Sequence, residues 1–231
     1  METIVLAGGF GSRLNSHLMG NPKPIVDING KPFLYYLFNY LKKNNVKKII
    51  LSVFYKYEKI INLFGHDYEG IDIVYSIDPS PLGTGGALKN AVKHVNSKNA
   101  IIVNGDTYYD IDLNKLFKKH INNQNDITMA VKPMKNFTRY GSVDIDSDNN
   151  VIKFMKKKKQ VFGYIDGGIM CINKNIFRDY NKKKFSFNDF ISSNLIAFGV
   201  KAIKFDNSFI DIGTPDDYNK AKQILINNDR N

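Results

Sequence analysis

A glycine-rich run with two basic residues lies near the start of the chain. Residues 6–14 read LAGGFGSRL, directly after the apolar Ile4 and Val5, and Pro-Lys-Pro follows at residues 22–24. Glycine has no Cβ, so its backbone N–H can approach a phosphate group closely. Arg13 adds a forked donor that matches phosphate oxygens, and Lys23 adds a compact positive charge. The glycines alone would also fit a tight turn, but together with the two cations they predict a site for a triphosphate and its departing pyrophosphate.

Two other phosphate-binding motifs fit this run poorly. A Walker loop needs Gly-Lys followed by Ser or Thr after its spacer, which residues 6–14 do not supply. A dinucleotide-binding fingerprint, G-x-G-x-x-G, needs a third glycine where this chain has Leu14. The run therefore favours a different kind of phosphate site.

Two aspartates stand in apolar surroundings, and each is a candidate magnesium ligand. Asp106 closely follows the apolar run at residues 100–103, and Asp211 lies within the run Phe-Ile-Asp-Ile-Gly at residues 209–213. Open α/β sheets bind ligands at the carboxyl edge of their strands. Magnesium takes oxygen ligands, commonly one or two carboxylates together with phosphate oxygens. The alternative for each aspartate is a turn or capping role.

The elements that must position these residues alternate between strand and helix in the first half of the chain. This alternation is typical of a mainly parallel sheet covered by helices. Strands are predicted at residues 4–7, 48–53, 71–77 and 100–103, and helices at residues 32–44 and 85–95. Asp112 is predicted to cap a further helix. After about residue 126 short strands take over, at residues 127–131, 142–145, 151–154, 164–172 and 201–205, and a helix at residues 215–226 closes the chain.

Composition excludes several classes of protein. With 231 residues, 43% of them hydrophobic, the chain can bury the core of one α/β domain. Its single cysteine, Cys171, excludes an internal disulfide. No apolar run reaches membrane-spanning length and no signal-peptide pattern is present, so a cytoplasmic protein is expected.

The net charge of +11 would suit nucleic acid, but the basic run at residues 156–159 has no adjoining aromatic platform. Capture of anionic small substrates is the favoured interpretation, without nucleic acid or membrane as partner.

Five collinear motifs resemble those of the sugar-1-phosphate nucleotidylyltransferases over essentially the whole chain. They are LAGGFGSRL with the following PKP, PLGTGGA at residues 81–87, NGD at 104–106, DGG at 166–168, and FIDIGTP at 209–215. The resemblance implies a single Rossmann-like domain over residues 1–231. Residues up to about 125 would bind the nucleotide, and those from about 126 would bind the sugar phosphate.

The resemblance also implies roles for individual residues. Arg13 and Lys23 would be catalytic, and Asp106 and Asp211 would hold Mg²⁺. The residues expected to bind the nucleotide, with the base at the glycine turn of residues 83–86, are Leu6, Ala7, Gly8, Gly9, Gly11, Ser12, Arg13, Lys23, Pro81, Gly83, Thr84, Gly86 and Asp106. The residues expected to bind the sugar phosphate are Gly141, Lys157, Asp166 and Gly167.

The sugar-binding segments depart from the pattern of many relatives at two positions. Aligned on Phe154, Lys156 stands where many relatives have Glu, and Asp166 stands where many have Asn. Asp can accept a hydrogen bond from a hydroxyl but, when ionised, cannot donate one.

Four stretches resemble those of D-glycero-alpha-D-manno-heptose 1-phosphate guanylyltransferases, namely LAGGFG at residues 6–11, NGKPFL at 29–34, PLGTGGA at 81–87 and NGDTY at 104–108. This implies GTP and a manno-heptose 1-phosphate as substrates and GDP-heptose as product, for surface polysaccharide such as capsule or S-layer glycan. Mannose 1-phosphate with GTP, a cytidylyl- or thymidylyltransferase, and a non-catalytic sugar-nucleotide-binding relative remain alternatives. A homodimer also remains open.

Overall fold

A mixed sheet with helices on both faces forms the centre of the structure. The structure is a computed structural model, and it describes residues 1–9, 11, 14, 18 and 20–228. Its strands are β1 (Glu2–Leu6), β2 (Asp27–Ile28), β3 (Lys31–Pro32), β4 (Lys48–Val53), β5 (Asp67–Tyr68), β6 (Ile71–Ile77), β7 (Asn99–Asn104), β8 (Thr107–Tyr109), β9 (Ile127–Phe137), β10 (Ser142–Ile145), β11 (Val151–Phe154), β12 (Gln160–Asn173), β13 (Lys201–Lys204) and β14 (Phe209–Asp211). Its α-helices are α1 (Phe33–Lys43), α2 (Tyr57–Phe64), α3 (Gly83–Ala91), α4 (Leu113–Asn123), α5 (Phe187–Ser192), α6 (Leu195–Phe198) and α7 (Pro215–Asn228). Short 3₁₀ helices cover Lys23–Ile25, Val92–His94 and Lys174–Phe177.

Four neighbouring strands of the main sheet run parallel, in the order β7-β1-β4-β6. Parallel strands end at the same edge of a sheet, so the segments that follow these four strands lie side by side. Backbone hydrogen bonds continue past the strand ends and hold those segments in place. The Ala7 N–H donates to the Ser52 carbonyl at 2.8 Å, and the Asp78 N–H donates to the Val53 carbonyl at 3.0 Å.

The long strand β12 joins the two halves of the chain in one sheet. Its second half pairs antiparallel with β7, its first half pairs with β10, and β9 lies along its other edge. The sequence predicts strand only at residues 127–131, whereas β9 continues to Phe137 through Pro133, which lacks the N–H that a central strand needs. Strand β13 pairs with β9 only as far as Val131, so Pro133 lies where β9 has no second described neighbour. A proline is tolerated at such an edge.

The short pair of strands β8 and β14 lies beside the main sheet and connects two distant segments. Asp211 is opposite Thr107 in this antiparallel pair, and the Ile212 N–H donates to the Asp106 carbonyl at 3.0 Å. This pairing brings together the two aspartates that the sequence places 105 residues apart.

Helices cover both faces of the sheet, as the alternating pattern predicts. Successive residues of β1 point to opposite faces, and Ile4 and Val5 belong to two separate hydrophobic clusters. The predicted apolar face of α1 is fully buried at Phe33, Leu34, Leu37, Phe38 and Leu41. No α-helix within the described part of the chain is long and apolar enough to cross a bilayer.

Several predicted bounds are confirmed. The strands at residues 48–53, 71–77, 142–145 and 151–154 have the predicted ends, and the Asp112 side chain caps α4 by accepting from the Lys115 N–H at 2.9 Å. Cys171 is fully buried in β12, as expected of a strand residue. The predicted helix at residues 85–95 begins earlier, at Gly83, and becomes a 3₁₀ helix after Ala91.

Candidate active site

A cavity of about 360 Å³ lies along the carboxyl edge of the four parallel strands. The segments after β1, β4, β6 and β7 all contribute to its wall. Nine residues of the predicted nucleotide site line it, namely Leu6, Ala7, Gly8, Gly9, Lys23, Pro81, Gly83, Thr84 and Asp106. The structure thus places nine of the thirteen predicted residues around a common space, although they come from four separate segments of the chain.

Lys23 lies between two carboxylates at one end of this cavity. Its ammonium is 2.5 Å from Oδ2 of Asp106 and 3.9 Å from Oδ1 of Asp211. The Lys23 side chain is only 9% exposed, whereas the side chains of Asp106 and Asp211 are 38% and 19% exposed. The 3₁₀ helix Lys23–Ile25, which follows Pro22, directs the lysine to this position. The cluster is therefore a partly solvated group of two negative charges around one positive charge.

Arg139 holds the outer side of the same cluster. Its guanidinium donates to Oδ2 of Asp211 at 3.1 Å and forms an ion pair with Asp217 in the first turn of α7. Asp217 also accepts a hydrogen bond from the Thr214 hydroxyl. The sequence analysis selected neither Asp217 nor Arg139 as a site residue. The position of Arg139 next to Tyr140-Gly141, a segment already associated with the sugar, is the signal that could have revealed it.

The donor set of this cluster fits a magnesium ion. The described residues contain no group of three or more His, Cys, Asp or Glu side chains arranged to hold a metal. Magnesium does not need such a cage, because one or two carboxylates, phosphate oxygens and water complete its octahedron. Asp106 and Asp211 supply two oxygen ligands at one place, and the Lys23 ammonium already shows that this place favours a cation.

The glycine turn before and within α3 packs against another segment of the chain. A Cβ on Gly83, whose φ is +70°, would lie 2.6 Å from the Phe185 carbonyl oxygen. The Gly85 N–H donates to that carbonyl at 3.0 Å, and the Thr84 hydroxyl accepts from the Phe187 N–H at 3.0 Å. Gly83 and Thr84 still line the cavity, so this turn both forms its wall and holds the segment before α5 in place.

Gly86 differs from its neighbours in this turn, because it does not line the cavity. Its α-carbon is buried against the Lys183 carbonyl oxygen and the Leu82 side chain, where a Cβ would collide with both. The sequence-based interpretation gave Gly86 to the nucleotide. The structure provides a packing reason for this glycine, and its role at the nucleotide stays a prediction.

The glycine-rich run near the N-terminus lies partly within the described residues. Gly8 and Gly9 line the cavity, and a Cβ on Gly9 would meet no heavy atom of the described residues within 4 Å. Gly11 has a φ of +67°, and a Cβ there would lie 2.8 Å from the Cβ of Lys23, so this glycine allows the lysine to pack closely. Ser12 and Arg13, both predicted to bind phosphate, lie outside the described residues.

The residues predicted to bind the sugar phosphate lie on the β9–β12 side of the molecule. Gly141 contacts the segment after β11, where a Cβ would lie 2.5 Å from the Met155 carbonyl oxygen. Lys157 is exposed two residues further along that segment. Gly167 packs on the ring of Tyr109 in β8, next to the strand that carries Asp211. The structure therefore brings Gly141 near the lysine-containing segment and Gly167 near the carboxylate cluster.

Asp166 is half-buried in β12, at the point where its register with β9 shifts. Its Oδ1 accepts a hydrogen bond from the Gly168 N–H at 2.8 Å. Burial raises the pKa of the Asp166 carboxyl to about 6, although this hydrogen bond opposes the shift. The carboxylate therefore changes charge near neutral pH, which an asparagine at this position would not do.

The cavity also contains polar residues that sequence reasoning did not select. Asp78 lines it directly after β6 and is only 5% exposed, and Ser52 lines it near the end of β4 and is only 1% exposed. Both stand at the end of an apolar strand, like Asp106. That same signal could have identified Asp78, but the following Pro-Ser-Pro suggests an ordinary turn.

Comparison with known proteins relates the whole chain to one family. A family model described as nucleotidyl transferase matches residues 2–228. A D-glycero-alpha-D-manno-heptose 1-phosphate guanylyltransferase from Aneurinibacillus thermoaerophilus is 46% identical over 227 residues, which are 97% of this chain and 98% of the relative. A protein of the same name from Campylobacter jejuni subsp. jejuni serotype O:2 is 46% identical over 229 residues, covering 99% of this chain and 100% of its own.

A solved structure shows the same arrangement of elements. The crystal structure of HddC from Yersinia pseudotuberculosis has a TM-score of 0.86 to this chain at 38% sequence identity, and the match covers 97% of this chain and 99% of the other. A further crystal structure of that protein, complexed with GMP-PN, has a TM-score of 0.85 over the same coverage. The similarity thus includes both the strands around the cavity and the β9–β12 side.

Proposed function

This chain belongs to the nucleotidyl transferase family, and we propose that it transfers a guanylyl group from GTP to D-glycero-alpha-D-manno-heptose 1-phosphate. The products would be GDP-heptose and pyrophosphate. One observation of the structure carries the proposal: a cavity along four parallel strand ends has the Lys23–Asp106–Asp211 cluster at one end. The base and the sugar in the proposal come from the two relatives that are 46% identical over nearly their full length.

The reaction needs alignment and charge neutralisation more than proton transfer. An oxygen of the sugar 1-phosphate attacks the α-phosphorus of GTP, and the bond from that phosphorus to the bridging oxygen of pyrophosphate breaks. A phosphate monoester is already anionic at neutral pH, so the attack requires no general base. The catalytic contribution then comes from holding the two substrates in line and stabilising the negative charge that develops.

Lys23 is placed to provide that stabilisation. Its ammonium lies beside Asp106 in the cavity that Gly8 and Gly9 also line, so phosphates bound in this cavity would be within its reach. Arg13 would add a second cation beside the β- and γ-phosphates. The Asp106 and Asp211 carboxylates would hold Mg²⁺, which when bound supplies positive charge between the phosphates of the two substrates.

The remaining residues would hold the two ends of the substrates. Gly83 and Thr84 line the part of the cavity near β6, where the base would lie against the glycine turn. Gly141, Lys157, Asp166 and Gly167 would bind the sugar phosphate from the β9–β12 side. The proposal includes a cytoplasmic location, where GTP is available, and a role in precursor supply for surface polysaccharide.

Pyrophosphate release tests this function directly. The protein with Mg²⁺ is offered GTP, CTP, dTTP, UTP and ATP, each combined with manno-heptose, mannose and glucose 1-phosphates. We expect turnover with GTP and the manno-heptose 1-phosphate. Turnover with another pair would retain the reaction and change the specificity, whereas nucleotide binding without turnover from any pair would favour a non-catalytic relative.

A further inference from the structure

The two carboxylate oxygens of Asp211 lie next to two different cations. Its Oδ1 is 3.9 Å from the Lys23 ammonium, which in turn lies beside Asp106 in the cavity. Its Oδ2 accepts a hydrogen bond from the Arg139 guanidinium at 3.1 Å. The carboxylate therefore presents one oxygen to the Lys23–Asp106 side, while Arg139 occupies the other.

Arg139 is itself held in place by the start of α7. Its guanidinium forms an ion pair with Asp217 and donates to the Thr214 hydroxyl at 3.4 Å. The Thr214 oxygen accepts from the Asp217 N–H at 3.3 Å, as the side chain of an N-cap residue does, and the hydroxyl donates back to the Asp217 carboxylate. The guanidinium thus connects a carboxylate fixed on a helix to Asp211, and its planar fork limits how far either can rotate.

The ion pair between Arg139 and Asp211 is also closely packed. A Cβ on Gly213 would lie 2.9 Å from Oδ1 of Asp211 and 3.0 Å from an amino nitrogen of Arg139, so the backbone at Gly213 lies directly on the pair. The Tyr140 ring lies 5.2 Å from the centre of the guanidinium, and it also packs edge-on against Phe209 of β14 at 5.9 Å. Both neighbours hold the pair in its present arrangement.

We propose that Arg139 restricts Asp211 to binding a metal ion through Oδ1 alone and thereby selects Mg²⁺ over Ca²⁺. This inference rests on the proposed function, in which Asp106 and Asp211 hold the metal. Mg²⁺ demands a nearly ideal octahedron, whereas Ca²⁺ accepts a larger and more flexible set of oxygens and readily takes both oxygens of one carboxylate. A metal that needs the second oxygen must displace the guanidinium from Oδ2. Arg139 is thus a positioning residue, which acts on the metal through Asp211.

Two simpler effects of Arg139 have a different signature. If the guanidinium only joined the segment before β10 to α7, its loss would loosen the site and weaken both metals alike. If it only added positive charge, its loss would strengthen both metals alike, because Mg²⁺ and Ca²⁺ carry the same charge. Both effects cancel in the ratio of the two affinities, so this ratio reports how Asp211 is held.

Competition of Mg²⁺ and of Ca²⁺ against Mn²⁺ in the nucleotide-free protein, followed by electron paramagnetic resonance, measures this ratio. We expect Arg139→Gln to lower the preference for Mg²⁺ over Ca²⁺ about 10-fold or more, the usual effect of removing the partner that orients a metal ligand. Arg139→Lys keeps the charge but lacks the fork that reaches both carboxylates, so it should lower the preference as well. Arg178→Gln removes the same charge at an exposed residue outside the cavity and should leave the ratio unchanged.

The same measurement on the wild-type protein covers the case in which the arginine variants do not fold. We expect wild type to bind Mg²⁺ about 10-fold or more tightly than Ca²⁺. Equal wild-type affinities for the two metals, or a folded Arg139→Gln protein with the wild-type ratio, would overturn this inference alone. Metal binding that Asp106→Asn does not weaken would overturn the metal assignment in the proposed function and this inference with it.

Discussion

Replacing Lys23 by methionine should change metal binding and turnover in opposite directions. The Lys23 ammonium lies 2.5 Å from Asp106 and 3.9 Å from Asp211 and neutralises part of their charge. A divalent cation that binds these carboxylates must compete with that ammonium. Methionine keeps the apolar stem of the side chain and removes the charge, so the variant should bind Mg²⁺ more tightly in the absence of nucleotide.

The distances and exposures give the size of this effect. Two unit charges about 4 Å apart interact by about 1 kcal/mol in water and about 4 kcal/mol at an effective dielectric constant of 20. Asp106 and Asp211 are 38% and 19% exposed, so the lower value applies to each. Loss of about 1 kcal/mol of competition at each of the two carboxylates, about 2 kcal/mol together, corresponds to about 30-fold tighter metal binding. Turnover should fall about 100-fold or more, because the positive charge beside the reacting phosphates is gone.

Calorimetric titration of the nucleotide-free protein with Mg²⁺, repeated with Mn²⁺ by electron paramagnetic resonance, measures the first effect. Pyrophosphate release measures the second. Lys132→Met is the matched control, since Lys132 lies 2.5 Å from Asp206 with 17% of its side chain exposed, and Asp206 does not line the cavity. Unchanged or weaker metal binding in folded Lys23→Met protein would refute the competition, and full turnover would refute the catalytic role.

Three further changes test other parts of the site. Asp106→Asn should abolish Mg²⁺-dependent pyrophosphate release while the melting temperature stays within a few degrees of wild type, and full activity would remove the metal assignment. Arg139→Gln should lower the free energy of unfolding, measured in urea, by about 1 kcal/mol, because Asp211 and Asp217 both lose their ion pair with the guanidinium, whose side chain is only 32% exposed. An unchanged urea midpoint would show that these ion pairs do not stabilise the fold. Burial raises the pKa of Asp166 from 3.8 to about 6, so the folded protein binds that proton more tightly than the unfolded chain and loses stability as the pH rises through this interval. Asp166→Asn removes the loss, and urea titrations should find it more stable than wild type by about 1 to 3 kcal/mol above pH 6 and equal near pH 4, whereas a difference that does not depend on pH would contradict the assigned cause.

The sequence predicts those parts of the fold and site that depend on local pattern. Apolar strands have the predicted ends where turn-forming or polar residues bound them, as Gly70 and Asp78 bound β6. Because parallel strands end at one edge, the polar residues that follow them can be assigned to a common site from the amino-acid pattern alone. Nine of the residues that the family resemblance assigned to the nucleotide line one cavity, and all of them but Lys23 lie at or after the ends of β1, β6 and β7.

Contacts between distant segments could not be derived in the same way. Asp106 and Asp211 meet because β8 and β14 pair, and each of these strands has only three residues. Such short strands carry no periodic signal, so only the resemblance to a family connected the two aspartates. Arg139 was overlooked for the same reason, since its partners Asp211 and Asp217 are more than seventy residues away along the chain.

The glycine turn at residues 83–86 shows why a motif alone does not determine what each of its residues does. A Cβ on any of the three glycines would collide with atoms of residues 183–185, and a Cβ on Gly86 would also collide with Leu82. The space at these glycines is therefore filled by other parts of the same chain. Gly83 and Thr84 face the cavity from the other side of this contact, and Gly86 does not. A glycine motif that allows two backbone segments to pack closely can have the same sequence as a glycine motif that binds a base. Asp78 shows that a motif can also hide a site residue. The sequence Asp-Pro-Ser-Pro after β6 predicts an ordinary turn, but the structure shows that Asp78 is buried and lines the cavity.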